Sequence, residues 1–186
     1  MILTETPLKD CFVLEPKVFG DARGFFLESF NQRQFNELTK TNYNFVQDNH
    51  SMSSTGVLRG LHLQKSNPQG KLVRVVAGEV FDVAVDVRIG SVSFGKWFGV
   101  RLSAENKKQL WVPPGFAHGF VVLSDNTQFL YKTTDYYAPA EEICIQWNDS
   151  DLNIDWQYKG DPKLSEKDRK GITFREFSKA ISLDHV

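Results

Sequence analysis

Two short runs of this chain could carry acid–base chemistry, because each sets one histidine into an apolar, strand-like segment. They are residues 57–64 (VLRGLHLQ), with His62, and residues 113–120 (PPGFAHGF), with His118. Histidine gains and loses a proton near neutral pH, so it can act as a general base without a large shift of its pKa. For His62 taken alone, a core histidine that hydrogen-bonds a backbone carbonyl is the more frequent case.

Cations near the first run favour a functional explanation. Arg59, Lys71 and Arg74 fall within a short region whose other residues are mainly apolar. Long cationic side chains are seldom placed in core strands unless they meet an anion there. The region therefore indicates a site where a histidine acts beside an anionic ligand.

The same residues make a poor metal site. Gln64 stands where a second ligand would follow His62, and His118 adds only one more imidazole. Two imidazoles and an amide are a weak set for a transition metal, and Cys11 and Cys144 lack the spacing of a zinc site. We therefore expect no metal and no other cofactor, and we expect both cysteines to be buried free thiols.

Three further features are ambiguous on their own. Tyr131 has the surroundings of an ordinary strand tyrosine with a solvated hydroxyl, and Asp168 next to Lys167 could be an exposed charge pair. Residues 23–28 (RGFFLE) combine a guanidinium, two flat rings and a carboxylate, which could bind a phosphate and stack a nucleobase. An edge strand with ordinary amphipathic patterning explains the same segment equally well.

Length and composition indicate a single globular domain over residues 1–186. The chain is 41% hydrophobic and 24% charged, which is ordinary for a globular protein. Its formal net charge of -1 gives no sign of binding to nucleic acid or to a membrane surface. The sequence contains neither a recognisable secretory signal nor a long apolar segment, so we expect a cytoplasmic protein.

Short strands separated by turns account for most of the chain, which predicts an all-β sandwich or barrel with a few peripheral helices. Val83 and Val85 alternate with Asp82 and Asp86, which predicts a half-buried strand. Asn31 could cap a helix over residues 31–40, and Ser165 could cap a short helical turn. The predicted strands cover residues 57–63, 71–76, 80–87, 96–102, 119–123, 128–133 and 142–147.

Together these motifs resemble the dTDP-4-dehydrorhamnose 3,5-epimerase family, whose members are metal-free cupins. The matching segments occur in order between about residues 11 and 168, and they are 21–26 (DARGFF), 47–51 (QDNHS), 57–62 (VLRGLH), 70–75 (GKLVRV), 78–88 (GEVFDVAVDVR), 114–120 (PGFAHGF) and 164–168 (LSEKD). The resemblance implies an all-β cupin jelly-roll barrel. Two departures are Leu63, where the family commonly has an aromatic residue, and the segment 169–186, which carries no family motif.

The resemblance also implies a role for each candidate residue. His62 would be the catalytic base, Asp168 the carboxylate that orients it, and Tyr131 the acid on the opposite face of the sugar ring. Lys71 would hold the 4-keto oxygen. Separately from the resemblance, a Lys71 cation close to Tyr131 is expected to lower the pKa of that phenol. The other substrate contacts that the resemblance implies are Arg23, Phe26, Glu28, Gln47, Asn49, Arg59, His118, Glu142 and Lys167.

The family chemistry needs no cofactor. A ketone at C4 acidifies the hydrogens at C3 and C5, and removal of either one gives an enolate whose charge lies mainly on O4. A base and an acid on opposite faces of the ring can then invert the centre. The resemblance further implies a dTDP-sugar substrate from dTDP-L-rhamnose biosynthesis, a pathway that supplies lipopolysaccharide and O-antigen. It also implies a homodimer in which residues 23–28 reach the partner's site.

Three alternatives stay open. A related epimerase that inverts a single centre, or that acts on another 4-keto-deoxysugar nucleotide, would share His62, Lys71 and Tyr131. A sugar-nucleotide binding protein without catalysis would bind and not exchange protons. A metal dioxygenase of the cupin type would require a bound metal.

Overall fold

Two β-sheets make up most of the computed structural model, which describes residues 1–183. Three helices lie at the periphery: α1 (Gln32–Thr39), α2 (Glu166–Arg169) and α3 (Phe174–Leu183), together with a 3-10 turn at Pro139–Glu141. The strands are β1 (Ile2–Glu5), β2 (Phe12–Glu15), β3 (Val18–Asp21), β4 (Gly24–Leu27), β5 (Gln47–Ser53), β6 (Leu58–Gln64), β7 (Lys71–Ala77), β8 (Glu79–Asp86), β9 (Trp97–Ser103), β10 (Gln109–Val112), β11 (Phe116–Val122), β12 (Thr127–Thr133) and β13 (Glu142–Cys144).

The strand order mixes segments that are far apart in the sequence. One sheet has six strands in the order β1-β2-β10-β7-β12-β5, and the other has five in the order β13-β6-β11-β8-β9. Neighbouring strands in both sheets run antiparallel. The prediction of an all-β jelly roll is confirmed.

An apolar core fills the space between the facing sheets. Val73 and Phe129 of the six-stranded sheet belong to the same buried cluster as Ala84 and Phe120 of the five-stranded sheet. The rings of Phe120 and Phe129 stack with their centroids 4.1 Å apart. Burial of these side chains holds the sheets together, since removal of apolar surface from water is the main favourable term in folding.

Strand β8 is buried on both faces, so the prediction of a half-buried strand is wrong. A second apolar cluster, in which side chains of residues 145–177 pack against those of β6, β8 and β11, covers the outer face of the five-stranded sheet. Asp82 and Asp86 are fully buried. Each carboxylate has a partner of its own, Asp82 with His118 and Asp86 with Arg88. These hydrogen-bonded partners offset the cost of burying the carboxylates.

Local capping signals correctly located two helices. The Asn31 side chain accepts a hydrogen bond from the Gln34 N–H at the start of α1, and the Ser165 hydroxyl accepts one from the Asp168 N–H in α2. The strand predicted over 142–147 ends earlier, at Cys144, and the next residue, Ile145, forms an isolated bridge with Ile172.

The hairpin β3–β4 stands apart from both sheets. It exposes three aromatic rings, those of Phe19, Phe25 and Phe26. Of the helices in the described part of the chain, none combines the length and the apolar character required to cross a membrane.

Candidate active site

A cavity of about 390 Å³ is lined by residues of both sheets. Nine residues singled out in the sequence line it: Gln47, Asn49, Arg59, His62, Lys71, His118, Tyr131, Glu142 and Lys167. The other lining residues are His50, Ser51, Gln69, Phe120, Phe129 and Tyr137. The cavity thus joins cations, imidazoles, a phenol and a carboxylate, which is a set suited to binding an anion and moving protons.

Strand pairing places the candidate residues on the two walls of the cavity. Tyr131 of β12 lies opposite Asn49 of β5 in the six-stranded sheet. His62 of β6 lies opposite His118 of β11 in the five-stranded sheet. His62 and Tyr131 therefore stand on opposing walls of the cavity.

The base candidate, His62, is held by a buried carboxylate. Its Nε2 lies 2.7 Å from Asp168 Oδ1, and Asp168 is only 3% exposed. Burial opposes ionisation of Asp168, but hydrogen bonds from His62, the Ser165 hydroxyl and the Gly60 N–H outweigh it and lower its pKa to about 2. Asp168 is thus an acceptor, so Nε2 of His62 carries the proton and Nδ1 carries the lone pair.

A close glycine contact allows this arrangement. Gly60 has a φ of +125°, and a Cβ added there would lie 2.5 Å from the Cα of Gly119. The same residue donates its N–H to Asp168 Oδ1 at 3.1 Å. Only glycine fits both the backbone conformation and the short distance between β6 and β11, and the fit brings the Gly60 N–H to the carboxylate.

A second histidine–carboxylate pair lies deeper in the same cavity wall. His118 Nε2 is 2.9 Å from Asp82 Oδ1, and both side chains are buried. The pairing fixes the orientation of the His118 ring, which lines the cavity. The pair with Asp82 thus holds the His118 imidazole in a fixed orientation at the cavity.

Glu142 forms a network on the other side of His62. Its two carboxylate oxygens accept hydrogen bonds from Lys167 Nζ at 2.8 Å, and Oε2 also accepts one from the Tyr137 hydroxyl at 2.8 Å. Burial opposes its ionisation, but these donors lower its pKa below the ordinary value. Oε1 lies 4.0 Å from Nδ1 of His62. His62 thus lies between two carboxylates.

The protonation of Lys71 and Tyr131 is set mainly by burial. Burial lowers the pKa of Lys71 to about 8, although Glu142 and Asp82 partly counteract it. Burial raises the pKa of Tyr131 above its ordinary value, and the opposing cations are Arg59 and Lys167. The prediction that Lys71 lowers the pKa of Tyr131 is wrong in both respects, since the shift is upward and Lys71 is not among its causes.

Several residues singled out in the sequence lie elsewhere. Arg23 is exposed and paired with Asp21 in the β3–β4 hairpin, with Nη2 2.5 Å from Oδ2. Phe26 is exposed on the same hairpin, and Glu28 accepts a hydrogen bond from Asn31 at 3.3 Å. Within one chain, these three residues do not line the cavity that contains His62.

Arg74 does not belong to the site either. It lies on the outer face of the six-stranded sheet, where it lines a separate depression with Asp48 and Lys132. The cluster of three cations predicted from the sequence is therefore reduced to Arg59 and Lys71 at the cavity. The side chains of β7 alternate between faces, so Arg74 points away from the wall that carries Lys71.

Sequence reasoning missed two residues of chemical interest. Tyr137 lines the cavity and bonds Glu142, but nothing in its local sequence distinguishes it from the adjacent Tyr136. Cys144 is half-buried, where we had expected it to be buried like Cys11. It lies directly opposite His62 in the pairing of β13 with β6, a relation that only the fold reveals.

One set of donor atoms in the described residues could hold a metal ion. His62, Cys144 and Asp168 each offer one ligand atom, and these atoms lie within 4.8 Å of one another. This set could not be predicted from spacing, because its three members come from β6, β13 and α2.

Comparisons with known proteins point to one family. A family model described as dTDP-4-dehydrorhamnose 3,5-epimerase matches residues 5–176. A dTDP-4-dehydrorhamnose 3,5-epimerase from Pseudomonas aeruginosa is 60% identical over 176 residues, which cover 95% of this chain and 97% of the relative. A second such relative, from Salmonella typhimurium, is 59% identical over 169 residues, covering 90% of this chain and 92% of its own.

A solved structure extends the similarity to the whole fold. The crystal structure of dTDP-6-deoxy-D-glucose-3,5-epimerase from Legionella pneumophila, in complex with dTDP-4-keto-L-rhamnose, superposes with a TM-score of 0.94. It is 50% identical in sequence and covers 97% of this chain and 96% of its own. These findings agree with the resemblance drawn from the motifs.

Proposed function

The chain belongs to the dTDP-4-dehydrorhamnose 3,5-epimerase family, and on that premise we propose that it converts dTDP-4-dehydro-6-deoxy-D-glucose into dTDP-4-dehydro-L-rhamnose by inverting C3 and C5. The observation that carries the proposal is the placement of His62 and Tyr131 on opposing walls of one cavity. A base on one face of a sugar ring and an acid on the other is the arrangement that inversion requires.

His62 removes the proton from carbon. Its Nε2–H is donated to Asp168, so the lone pair of Nδ1 accepts the proton from C3 or C5. Asp168 then stabilises the imidazolium that results, because its pKa of about 2 keeps it ionised at neutral pH. Glu142, 4.0 Å from Nδ1, adds a second negative charge beside the protonated ring.

Lys71 stabilises the enolate that forms. With a pKa of about 8, its amine is mainly protonated at neutral pH and loses its charge as the pH rises through that value. A positioned donor at a developing oxyanion contributes about 2.7–4 kcal/mol to the transition state. The role of Lys71 is therefore to hold O4 while the negative charge resides there.

Tyr131 returns a proton to the opposite face. Because burial raises its pKa, the phenol is neutral at neutral pH and has a proton to give. An enolate carbon protonated from this side has the inverted configuration. The same pair then acts on the second centre after His62 has released its proton and Tyr131 has regained one.

The rest of the cavity binds the substrate. We assign contacts with the sugar and the diphosphate to Gln47, Asn49, Arg59, His118, Glu142 and Lys167. Arg59 is the forked cation suited to phosphate oxygens. No step of the reaction requires a metal or a redox cofactor. The single domain of residues 1–186 would carry the activity, and it would do so in the cytoplasm. The product would serve dTDP-L-rhamnose biosynthesis and hence the assembly of lipopolysaccharide and O-antigen.

The site would be completed by a second copy of the chain. Arg23, Phe26 and Glu28 stand on an exposed hairpin and do not reach the cavity of their own chain. We assign them to the cavity of the partner in a homodimer, where the guanidinium and the rings would meet the nucleotide.

Product analysis in heavy water tests the function. The protein is incubated with dTDP-4-dehydro-6-deoxy-D-glucose in D₂O, and the product is examined by NMR. We expect the L-rhamno configuration with deuterium at both C3 and C5. Deuterium and inversion at one centre only would identify a single-centre epimerase. An unchanged, unlabelled sugar would contradict catalysis and indicate a protein that only binds the sugar nucleotide.

A further inference from the structure

We propose that His62, Cys144 and Asp168 form a binding site for a thiophilic divalent cation, for which Zn²⁺ and Cd²⁺ are suitable ions, and that the bound ion blocks the catalytic base. The site uses a thiol that has no part in the epimerase mechanism. The inhibitory effect rests on the proposed role of His62, whereas binding of the ion does not.

The donor atoms are already close together. The nitrogen, sulfur and oxygen donors lie within 4.8 Å of one another. Ligands of a tetrahedral zinc ion, with bonds of about 2.0–2.3 Å, are separated by about 3.4–3.7 Å. The His62 and Asp168 atoms, now 2.7 Å apart, would separate by about 0.7 Å to admit an ion of this size.

Three different elements supply the ligands, and the backbone fixes their positions. Cys144 and His62 are cross-strand partners in β13 and β6, so their side chains leave the sheet side by side. Asp168 projects from α2, where Ser165 and the Gly60 N–H hold its carboxylate. Thiolate, imidazole and carboxylate form a common zinc ligand set, and the soft sulfur favours Zn²⁺ and Cd²⁺ over Mg²⁺ or Ca²⁺.

Two of the three ligands, His62 and Cys144, are partly exposed. His62 lines the cavity, and Cys144 is half-buried and not sealed in the core. A fourth ligand position would be taken by water, as in zinc sites with three protein ligands.

Binding the ion changes which nitrogen of His62 carries the proton. When Nε2 coordinates the metal, its proton moves to Nδ1, and the Cys144 thiol releases its own proton to solvent. Nδ1–H then faces Glu142 Oε1, which is 4.0 Å away and can become its acceptor, giving the carboxylate–histidine–metal arrangement common in metal sites. A metal-bound His62 has no lone pair left for the substrate.

Titration with Cd²⁺, without any thiol reductant, tests the binding. The ultraviolet absorption of a Cd²⁺–thiolate bond should grow to saturation at one ion per chain. It should disappear in Cys144→Ala and persist in Cys11→Ala, the matched control in which the other cysteine is changed. Lack of the absorption in the wild-type protein, or its loss in Cys11→Ala in place of Cys144→Ala, would overturn the site.

Turnover with added Zn²⁺ tests the inhibition. Zn²⁺ should inhibit the wild-type protein, and EDTA should reverse the effect. The concentration needed for half inhibition should rise about tenfold or more in Cys144→Ala, while turnover without metal stays near the wild-type rate. Cys144→Ser provides a second variant if alanine alters folding, which circular dichroism checks.

The two readouts separate this inference from the proposed function. The Cd²⁺ absorption requires no substrate, so it is measurable even if the protein proves not to be an epimerase. Equal inhibition of wild-type and Cys144→Ala protein would refute the inhibitory site. Full thiolate absorption with undiminished turnover would refute the block of the base.

Discussion

The two nitrogens of the His62 ring are in different environments, and this makes the residue a directional base. Nε2 faces Asp168 at 2.7 Å, whereas Nδ1 faces Glu142 at 4.0 Å. The short contact fixes both the tautomer and the plane of the ring. The direction of the base therefore depends on a carboxylate that is distant in sequence and supplied by α2.

Replacement of Asp168 by Asn should reduce kcat strongly. The amide has about the same size but no charge to stabilise the imidazolium, so we expect a fall of about 10²–10⁴-fold with little change in the fold. Asp48→Asn, at an exposed aspartate on the outer face of the sheet, serves as the matched control and should keep the wild-type rate. A kcat of the Asp168→Asn protein within twofold of the wild-type value would contradict the role of Asp168 in supporting the base.

The Asp168→Asn variant also predicts how the stability of the fold depends on pH. The native pKa of Asp168 is about 2, below the ordinary value of 3.8 for an aspartate, so the ionised carboxylate stabilises the fold above about pH 4. That contribution is lost as the pH falls from about 4 towards 2. The difference in unfolding free energy between wild type and Asp168→Asn, measured by urea denaturation, should therefore narrow over that range.

Individual elements differ in how well the sequence predicts them. Alternation and turn residues located seven strands to within a few residues, and Asn31 and Ser165 located two helix starts, because these signals act between neighbours in the chain. Helix α3, at Phe174–Leu183, was not anticipated. Strands β1, β3, β5 and β10 were also missed, since each is short or has little apolar alternation. An edge strand was one interpretation of residues 23–28, which contain β4.

For strand β8 the sequence correctly predicted the strand but not its burial. Asp82 and Asp86 predicted a solvent-facing side, yet both are buried. His118 of β11 pairs with Asp82, and hydrogen-bond donors from the turn that follows β8, among them Arg88 and Ser91, satisfy Asp86. Cys144 was overlooked for a related reason, since its cross-strand position next to His62 exists only once β13 has paired with β6. Pairing between distant segments is a tertiary property that local periodicity does not encode.

For the molecule as a whole, the main proposal beyond the single chain is the exchange of hairpins between two copies. The β3–β4 hairpin exposes Phe19, Phe25 and Phe26, whose apolar surface is costly to leave in water. The same hairpin carries Arg23, which the cavity of its own chain does not use. A symmetric dimer in which each hairpin serves the other cavity would account for both features.

Co-expression of two inactive variants tests this exchange. In a mixed dimer of Arg23→Ala and His62→Asn chains, one cavity would combine an intact His62 with an intact hairpin from the partner. With random pairing, activity should recover to about one quarter of wild type. Recovery would not occur if each hairpin served its own chain, because every cavity would then lack one of the two residues.

The central claim is that His62 removes the carbon-bound proton and Tyr131 returns one from the opposite wall, and deuterium exchange next to the ketone measures the two steps separately. In D₂O, His62→Asn should lose exchange at C3 and C5 by about 10²–10⁴-fold. Tyr131→Phe should still take up deuterium, but without inversion, because only His62 can then return the proton. Undiminished exchange in His62→Asn, or full inversion at the native rate in Tyr131→Phe, would contradict the mechanism.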